Sequence, residues 1–487
     1  MKHEVEKSDH DRRAEPQSLP DRPKTQPTAV RGFFQGKIPS PKERHAAGKA
    51  LRDKVPRESH AEWKESSQRP DPISTLLATN EGRLPQLVPI RHSRMLTSPF
   101  AFLRGSAAVM AADLSKTSVS GIRVQACGDC HLMNFGGFAT PERQIVFDIN
   151  DFDETLPAPW EWDVKRLAAS IVVAGRYIDL KERESLAAAT AAVRSYRRWM
   201  ARYAGMASFE VWYDHIDLER VFSALSDSWQ KRLRARIAKV QRRSVAEHDF
   251  PKLTERSGGR PLIKDNPPLI FHLSPKDQKK FHASAVGALK MYQQSLPHHC
   301  RVLLDRFRMC DLAIKVVGVG SVGTQCMIAL FMASETDPMF LQVKQANASV
   351  LEPHAGRSVY PNHGQRVVAG QHLMQAASDM MLGWTVGKFA GRHFYVRQLR
   401  DMKISPIVET MEHDKLKTYG KLCGWALARS HARSGDPAMI SGYLGNSSVF
   451  DEAVTKFAKS YADQTERDHK ALAKAVADGR LKVAAIE

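Results

Sequence analysis

A chain of 487 residues that is 43% hydrophobic exceeds one ordinary core, which predicts a globular protein of two lobes or domains. Its formal net charge of +19 draws polyanions such as nucleotides, nucleic acids and membrane surfaces without choosing among them, and equally keeps a basic protein dissolved. The N-terminus lacks an apolar signal segment, no run of about 18 apolar residues is present to cross a membrane, and six cysteines make no disulfide framework at this length, so a cytoplasmic protein with no membrane partner is expected.

Residues 1–70 are rich in Lys, Arg, Glu, Pro and Ser and read as a polar tail, the first forty or so disordered, with a basic helix over Gly48 to Trp63. Residues 71–300 are expected to form a helical lobe, regular from Ile73 and entering a helix near Ser106. Within it, PWEWDVKRLAASIVVAGRYI predicts an amphipathic helix with Leu167, Ala168, Ile171 and Val172 on one face, and 185–204 an Ala-rich one. Ser228 to Ser244 predicts a strongly basic helix, either a solvated face or a contact for a polyanion or nucleic acid, and the glycines and prolines of Arg256 to Ile270 predict a loop. Residues 301–410 read as a smaller β lobe and 411–487 as C-terminal helices packing on the helical lobe.

Two stretches carry chemistry. From Val124 to Glu154 the chain reads strand, polar loop, strand, and holds Asp129, His131, Asn134, Asp148, Asp151, Asp153 and Glu154. Carboxylates this close repel unless solvent, a basic neighbour or a metal compensates them. Cys127 to His131 also matches the C-x-x-C-H of haem attachment, but small buried strand-end cysteines are the simpler reading.

The second stretch runs from Ala313, where Gly318, Gly320 and Gly323 make G-x-G-x-x-G after an apolar strand. Two devices use such glycines. A dinucleotide unit needs a helix over Thr324 to Ala333 and an acidic residue ending the next strand, which here ends at Lys344. A glycine-rich β-hairpin over nucleotide phosphates needs a returning strand, Cys326 to Met332, then a lysine strand and a glutamate, for which Lys344 and Glu352 are placed. The position of Lys344 favours the hairpin. Asp129 and Asn134 keep the D-x-x-x-x-N spacing in which a carboxylate orients the attacking hydroxyl and an amide reaches magnesium, while Asp148 and Asp151 follow as metal ligands.

CGDCHLMNFG, VFDINDFDE and WEWDVKRLA resemble the G-D-x-H-x-x-N, I-D-x-x-D and D-L-A run of aminoglycoside- and choline-type small-molecule kinases. Over nearly its whole length, from RHSRM and SPFAFLRG to KLCGWALARSHARSGD, the chain resembles the bacterial domain of unknown function 2252 family. The kinase resemblance implies an α+β, protein-kinase-like fold of two lobes, the helix-rich lobe larger and the antiparallel β lobe smaller. Its order is circularly permuted, because Gly318 follows Asp129 by about 190 residues. RHFYVRQLRDMK would be the edge strand leading to the hinge, and Lys415 to Ala432 the helix that normally precedes the catalytic loop. ATP and Mg2+ are the implied cofactors: Gly318, Gly320, Ser321, Gly323 and Lys344 on nucleotide, Asp129, Lys344 and Glu352 catalytic, Asn134, Asp148 and Asp151 on metal, His131 and Asp163 structural beside them. The expected activity is phosphoryl or nucleotidyl transfer to a small-molecule acceptor. Alternatives are an inactive nucleotide-binding or regulatory module, and an NAD(P)-dependent oxidoreductase built on the glycines.

Overall fold

The computed structural model describes residues 38–223, 225–241, 250–387, 391–399 and 402–484. Ser40 and Glu43 form a capping box, and Pro41 takes the first helical position, to start α1, Pro41–Ala50. The expected helix over Gly48 to Trp63 is therefore displaced: the start signal lies earlier, and short 3-10 turns at Leu51–Asp53 and Arg57–Ala61 follow α1. A Cβ on Gly48 would lie 2.0 Å from the Met439 carbonyl oxygen, so glycine lets α1 lie against a C-terminal helix, and residues 39–70 belong to one compact unit with the rest of the chain to Glu487.

After α2 (Val88–Leu96) and α3 (Pro99–Gly105) come four short strands. They are β1 (Arg123–Ala126), β2 (Phe135–Ala139), β3 (Ile145–Ile149) and β4 (Leu156–Pro159), paired as two antiparallel ribbons, β1 with β4 and β2 with β3. The helix α4, Trp160–Tyr177, is buried along nearly its whole length, because its polar side chains Glu161, Asp163, Lys165 and Arg166 all find partners inside. It packs with α5, Glu182–Ala204, and with two later helices, His413–Ser434 and Val449–Ala477, around one large apolar core.

The basic helix is α6, Asp227–Gln241; residues 242–244 of the expected span lie outside the described residues. The expected loop over Arg256 to Ile270 instead holds a small hairpin, Thr254–Ser257 with Arg260–Ile263, turned by Gly258 and Gly259 at positive φ. Beyond it come β5 (Ile270–Phe271), α7 (Pro275–Ser295), β6 (Arg308–Lys315), β7 (Cys326–Ser334), β8 (Asp337–Ala346), α8 (His363–Met374), β9 (Gly383–Val386) and β10 (His393–Gln398). The chain closes with α9 (His413–Ser434), α10 (Pro437–Leu444) and α11 (Val449–Ala477).

The six strands β5 to β10 form one antiparallel sheet in the order β9-β10-β8-β7-β6-β5. The protein is thus a mixed α+β fold, about half helical. RHFYVRQLRDMK does not supply an edge strand: β10 pairs with β8 on one side and β9 on the other, and β9 takes the edge. Strand alternation explains which side of the sheet does what. Leu312, Ile314, Met327, Ala329, Phe331 and Leu341 share a core with Tyr292 and Leu296 of α7. On the opposite face Ile328, Leu330 and Phe340 are packed in a second cluster, but β8 then turns polar at Gln342 and Lys344. That change of character fixes where a cleft opens between the sheet and the helical body.

Candidate active site

The loop after β1 is aimed by α4. Gly128 has φ 82°, and a Cβ there would lie 2.4 Å from the Glu154 carbonyl oxygen, so only glycine fits the turn. The fully buried Asp163 carboxylate accepts from the N–H of Cys127 at 2.6 Å and of Gly128 at 3.0 Å, with His431 Nε2 at 3.2 Å. One turn along α4, Arg166 donates from Nε to Asp129 Oδ1 at 2.7 Å and contacts the same oxygen through Nη2. Asp129 Oδ2 is left 3.8 Å from His131 Nε2, at the cleft. A single 3-10 turn, Leu132–Asn134, brings Asn134 back so that Nδ2 donates to the Asp129 carbonyl at 2.6 Å, which is what the five-residue spacing accomplishes.

These surroundings tune the loop. Burial pushes Asp129 up to about 7; Arg166 opposes the rise, while the Glu154 and Asp151 carboxylates add to it. Burial, then the Arg104 and Arg166 charges, hold His131 well below its ordinary value and so neutral; its Nδ1 accepts from the Met133 N–H at 3.2 Å. Cys127 and Cys130 are buried free thiols at the strand end.

The acidic stretch divides into two parts. Asp148 sits inside β3, fully buried and away from the cleft, where it accepts from Arg429 Nη2 at 2.5 Å and from the N–H of Ala376 and Ile149, each at 2.9 Å. The expected metal role of Asp148 is therefore replaced by a structural one. Asp151, just beyond β3, does line the cleft, with Asp153 and Glu154. Asp153 accepts from Lys344 Nζ at 2.7 Å and from Tyr395 Oη at 2.6 Å, while Asp151 lies 3.8 Å from the same ammonium. Burial opposes its charge, yet Lys344, Arg397 and Lys403 hold Asp151 down to about 2. Lys344 is raised well above its ordinary value by Asp151 and Asp153 despite burial. Arg366 donates to the Asp153, Thr155 and Asn347 carbonyls, binding the acidic turn to the sheet. Basic neighbours thus compensate these carboxylates.

Glu352 does not reach Lys344. Its Oε1 accepts from the Ser349 N–H at 3.3 Å and lies 3.7 Å from His363, because it is used in turning the chain after β8. The partner expected close in sequence is supplied instead by Asp153, 191 positions earlier.

The glycines lie in the connection between antiparallel β6 and β7, with Gly318 at φ 64° and Gly323 at φ 89°. Where a dinucleotide unit needs a helix over Thr324 to Ala333 there is the strand Cys326–Ser334, so the motif is a hairpin tip. The segment ahead of α3 holds it. Arg94 donates to the Gly318 carbonyl at 2.5 Å, Arg83 to Gly320 at 2.8 Å and to Val322 at 2.5 Å, and Leu84 N–H to Gly323 at 2.7 Å. Val319 packs on the cluster containing Phe102.

Together these groups line a cleft of about 600 Å3 that holds Asp129, His131, Asn134, Asp151, Gly318, Gly320, Ser321 and Lys344, and excludes Asp148, Glu352 and Gly323 from its walls. Among the described residues no three His, Cys, Asp or Glu side chains cluster as a metal site. Asn134 and Asp151 nevertheless offer an amide and a carboxylate to one cleft, a donor set that suits Mg2+ held by one or two side chains together with substrate phosphates and water. Sequence reasoning missed Arg166, and placed Asp153 in the acidic cluster without its pairing to Lys344; the one available signal for Arg166 was its i,i+3 spacing from Asp163 on one helix face. In α6, Arg234 stacks on Phe222 at 4.1 Å and Arg236 donates to the Ser405 carbonyl at 2.7 Å, while Lys231 and Arg232 are exposed. No helix among the described residues is long and apolar enough to cross a membrane.

A family model described as "Uncharacterized protein conserved in bacteria (DUF2252)" matches residues 83–475. No curated protein and no solved structure matches the chain.

Proposed function

Given that the chain belongs to the DUF2252 family, whose description names no activity, we propose from the cleft itself a Mg2+-dependent phosphotransferase of kinase-like type with permuted order, using ATP on a small-molecule hydroxyl acceptor. One observation carries the reading: Asp129, Asn134 and Asp151 meet Lys344 and the Gly318 to Ser321 tip in one cleft, although about 190 residues separate the two groups. Asp129, near 7, is suited to orient and deprotonate a hydroxyl at neutral pH. Lys344 and Arg397 face the cleft to neutralise phosphates, and Asn134 with Asp151 would hold Mg2+. When bound, that ion would supply neutralisation of phosphate charge.

Permutation has its own support. The Gln125 N–H of β1 donates to Ser434 Oγ at the end of α9 at 3.2 Å, so the two segments that an unpermuted order would join already touch.

ATP with Mg2+ should raise the melting temperature, and Asp151→Ala should remove the metal-dependent part. Stabilisation by NAD and not by ATP would sink the proposal. ATP labelled at the α or γ position separates nucleotidyl from phosphoryl transfer. The hold of Arg166 on Asp129 favours a second reading, a nucleotide-binding module without turnover. In that case Asp129→Asn would leave binding unchanged and wild-type protein would transfer nothing to any hydroxyl acceptor. Salt-sensitive nucleic-acid binding lost with Lys231 and Arg232 would add the polyanion contact to that module.

A further inference from the structure

The arginines around the cleft differ in how they are committed. Arg83 spends its guanidinium on the Thr79, Gly320 and Val322 carbonyls, Arg91 on Asn80 and the Gly105 carbonyl, Arg166 on Asp129, and Arg397 on Gln342 and the Asn150 carbonyl. Arg104, in the last turn of α3, lines the same cleft, yet among the described residues none of its side-chain donors makes a hydrogen bond: its Nε is buried and unpartnered, as is that of Arg91, and its guanidinium lies over the Phe100 ring, 5.8 Å from the centroid. Asp129 and Glu409 are near enough to favour its charge, yet neither forms an ion pair with it. A mostly buried guanidinium with an unused donor is costly unless a ligand completes it.

Its backbone is held from two sides. Arg166, which grips Asp129, also donates through Nη2 to the Leu103 carbonyl at 3.0 Å, so one guanidinium sets the offset between Asp129 and Arg104. From the other side the hairpin tip closes on it: a Cβ at Gly320 would lie 3.1 Å from the Arg104 carbonyl oxygen. Arg104 is therefore beside the glycine tip through its carbonyl and close enough to Asp129 to feel its charge.

We propose that Arg104 binds a phosphoryl or carboxylate group at the transfer end of the cleft, next to Asp129. The proposal rests on the phosphotransferase reading only for the origin of that anion, which is either the terminal phosphoryl of the nucleotide or an acidic group of the acceptor.

The test uses the full chain with Arg104→Met and Arg104→Lys, titrated calorimetrically with Mg2+ and a non-hydrolysable ATP analogue, with Mg2+ and ADP, and with inorganic phosphate in the presence of ADP. Loss of a charge-assisted hydrogen bond predicts about 10- to 100-fold weaker binding in the Met variant, partly restored by Lys. A drop for the analogue with ADP unchanged assigns the terminal phosphoryl. Unchanged nucleotides with weaker phosphate assign the acidic acceptor. Wild-type phosphate binding that depends on Arg104 without any nucleotide binding would keep this inference and sink the phosphotransferase. Equal loss for analogue and ADP, or no change in any titration, overturns the inference, as does a wild-type chain that binds none of the three. If the Met variant fails to fold, the Lys variant decides, because its shorter, point-like charge cannot reproduce a guanidinium fork and should still weaken the same ligand.

Discussion

Asp148→Ala separates a structural from a metal role most directly. Asp148 and Arg429 are 1% and 0% exposed, and the carboxylate takes Arg429 Nη2 at 2.5 Å and the Ala376 N–H at 2.9 Å. Among the described residues Arg429 is already under-satisfied, since its Nε and Nη1 are buried without partners while Nη2 donates to Asp148 and to the Met374 carbonyl. Removing the carboxylate leaves a buried guanidinium uncompensated, a change that costs about 3–5 kcal/mol. At roughly 2 °C per kcal/mol for a domain of this size, the melting temperature should fall by about 6–10 °C. Urea denaturation for the free energy and thermal denaturation for the melting temperature, each followed by tryptophan fluorescence with and without Mg2+ and ATP, measure the two quantities. The stabilisation added by Mg2+ and ATP should persist in the variant, and Asp148→Ala with Arg429→Met should recover part of the loss. A variant of unchanged melting temperature that has lost only the Mg2+-dependent increment would refute this reasoning and return Asp148 to the metal.

The remaining predictions concern the cleft walls. Asp129 is raised to about 7 in the folded state, so between its unfolded value near 4 and about 7 the folded chain holds a proton that the unfolded chain has lost. Its contribution to stability therefore falls as pH rises through that window, and Asp129→Asn should flatten the fall seen in denaturation between pH 5 and pH 8; an unchanged slope counts against it. Turnover, where an acceptor is found, should rise with pH through about 7 as the base is freed. Lys344→Met strips Asp151 and Asp153 of their nearest cation, 3.8 and 2.7 Å away, and should abolish the ATP-dependent rise in melting temperature. Glu352→Gln, by contrast, should stay within about 0.5 kcal/mol of wild type and bind ATP normally, and a loss like that of Lys344→Met would restore the discarded pair. Gly320→Val places a branched side chain 3.1 Å from the Arg104 carbonyl, pushing the tip off α3. It should weaken ATP binding in calorimetry more than it lowers the melting temperature, and unaltered affinity would show that the tip does not cover the ligand.

What was legible follows from how local each signal is. The hairpin of β6 and β7 could be read because two apolar runs flank a turn and Lys344 falls at a set distance along the next strand. The loop from Asp129 to Asn134 could be read because its geometry closes within five residues, through one 3-10 turn. Asp148 could not be read in this way. All five residues of β3 are buried, so alternation along the strand gives no clue, and its partner Arg429 lies 281 positions later; nothing near Asp148 in the chain announces that partner. Glu352 failed in the opposite way, being close to Lys344 in sequence and used elsewhere in space.

The same contrast explains why the cleft is larger than its motifs. Its acidic turn is neutral enough to persist because Lys344, Arg366 and Arg397 arrive from the sheet, and its glycine tip is held because Arg83 and Arg94 arrive from the segment ahead of α3. Those cations are scattered through the sequence as ordinary members of a basic composition, and net charge alone says nothing of their convergence. Each becomes informative only when its donors are counted. Arg83 and Arg166 spend their donors on the hairpin tip and on Asp129 and so build the site, whereas among the described residues Arg104 hydrogen-bonds to nothing and has capacity left for a ligand.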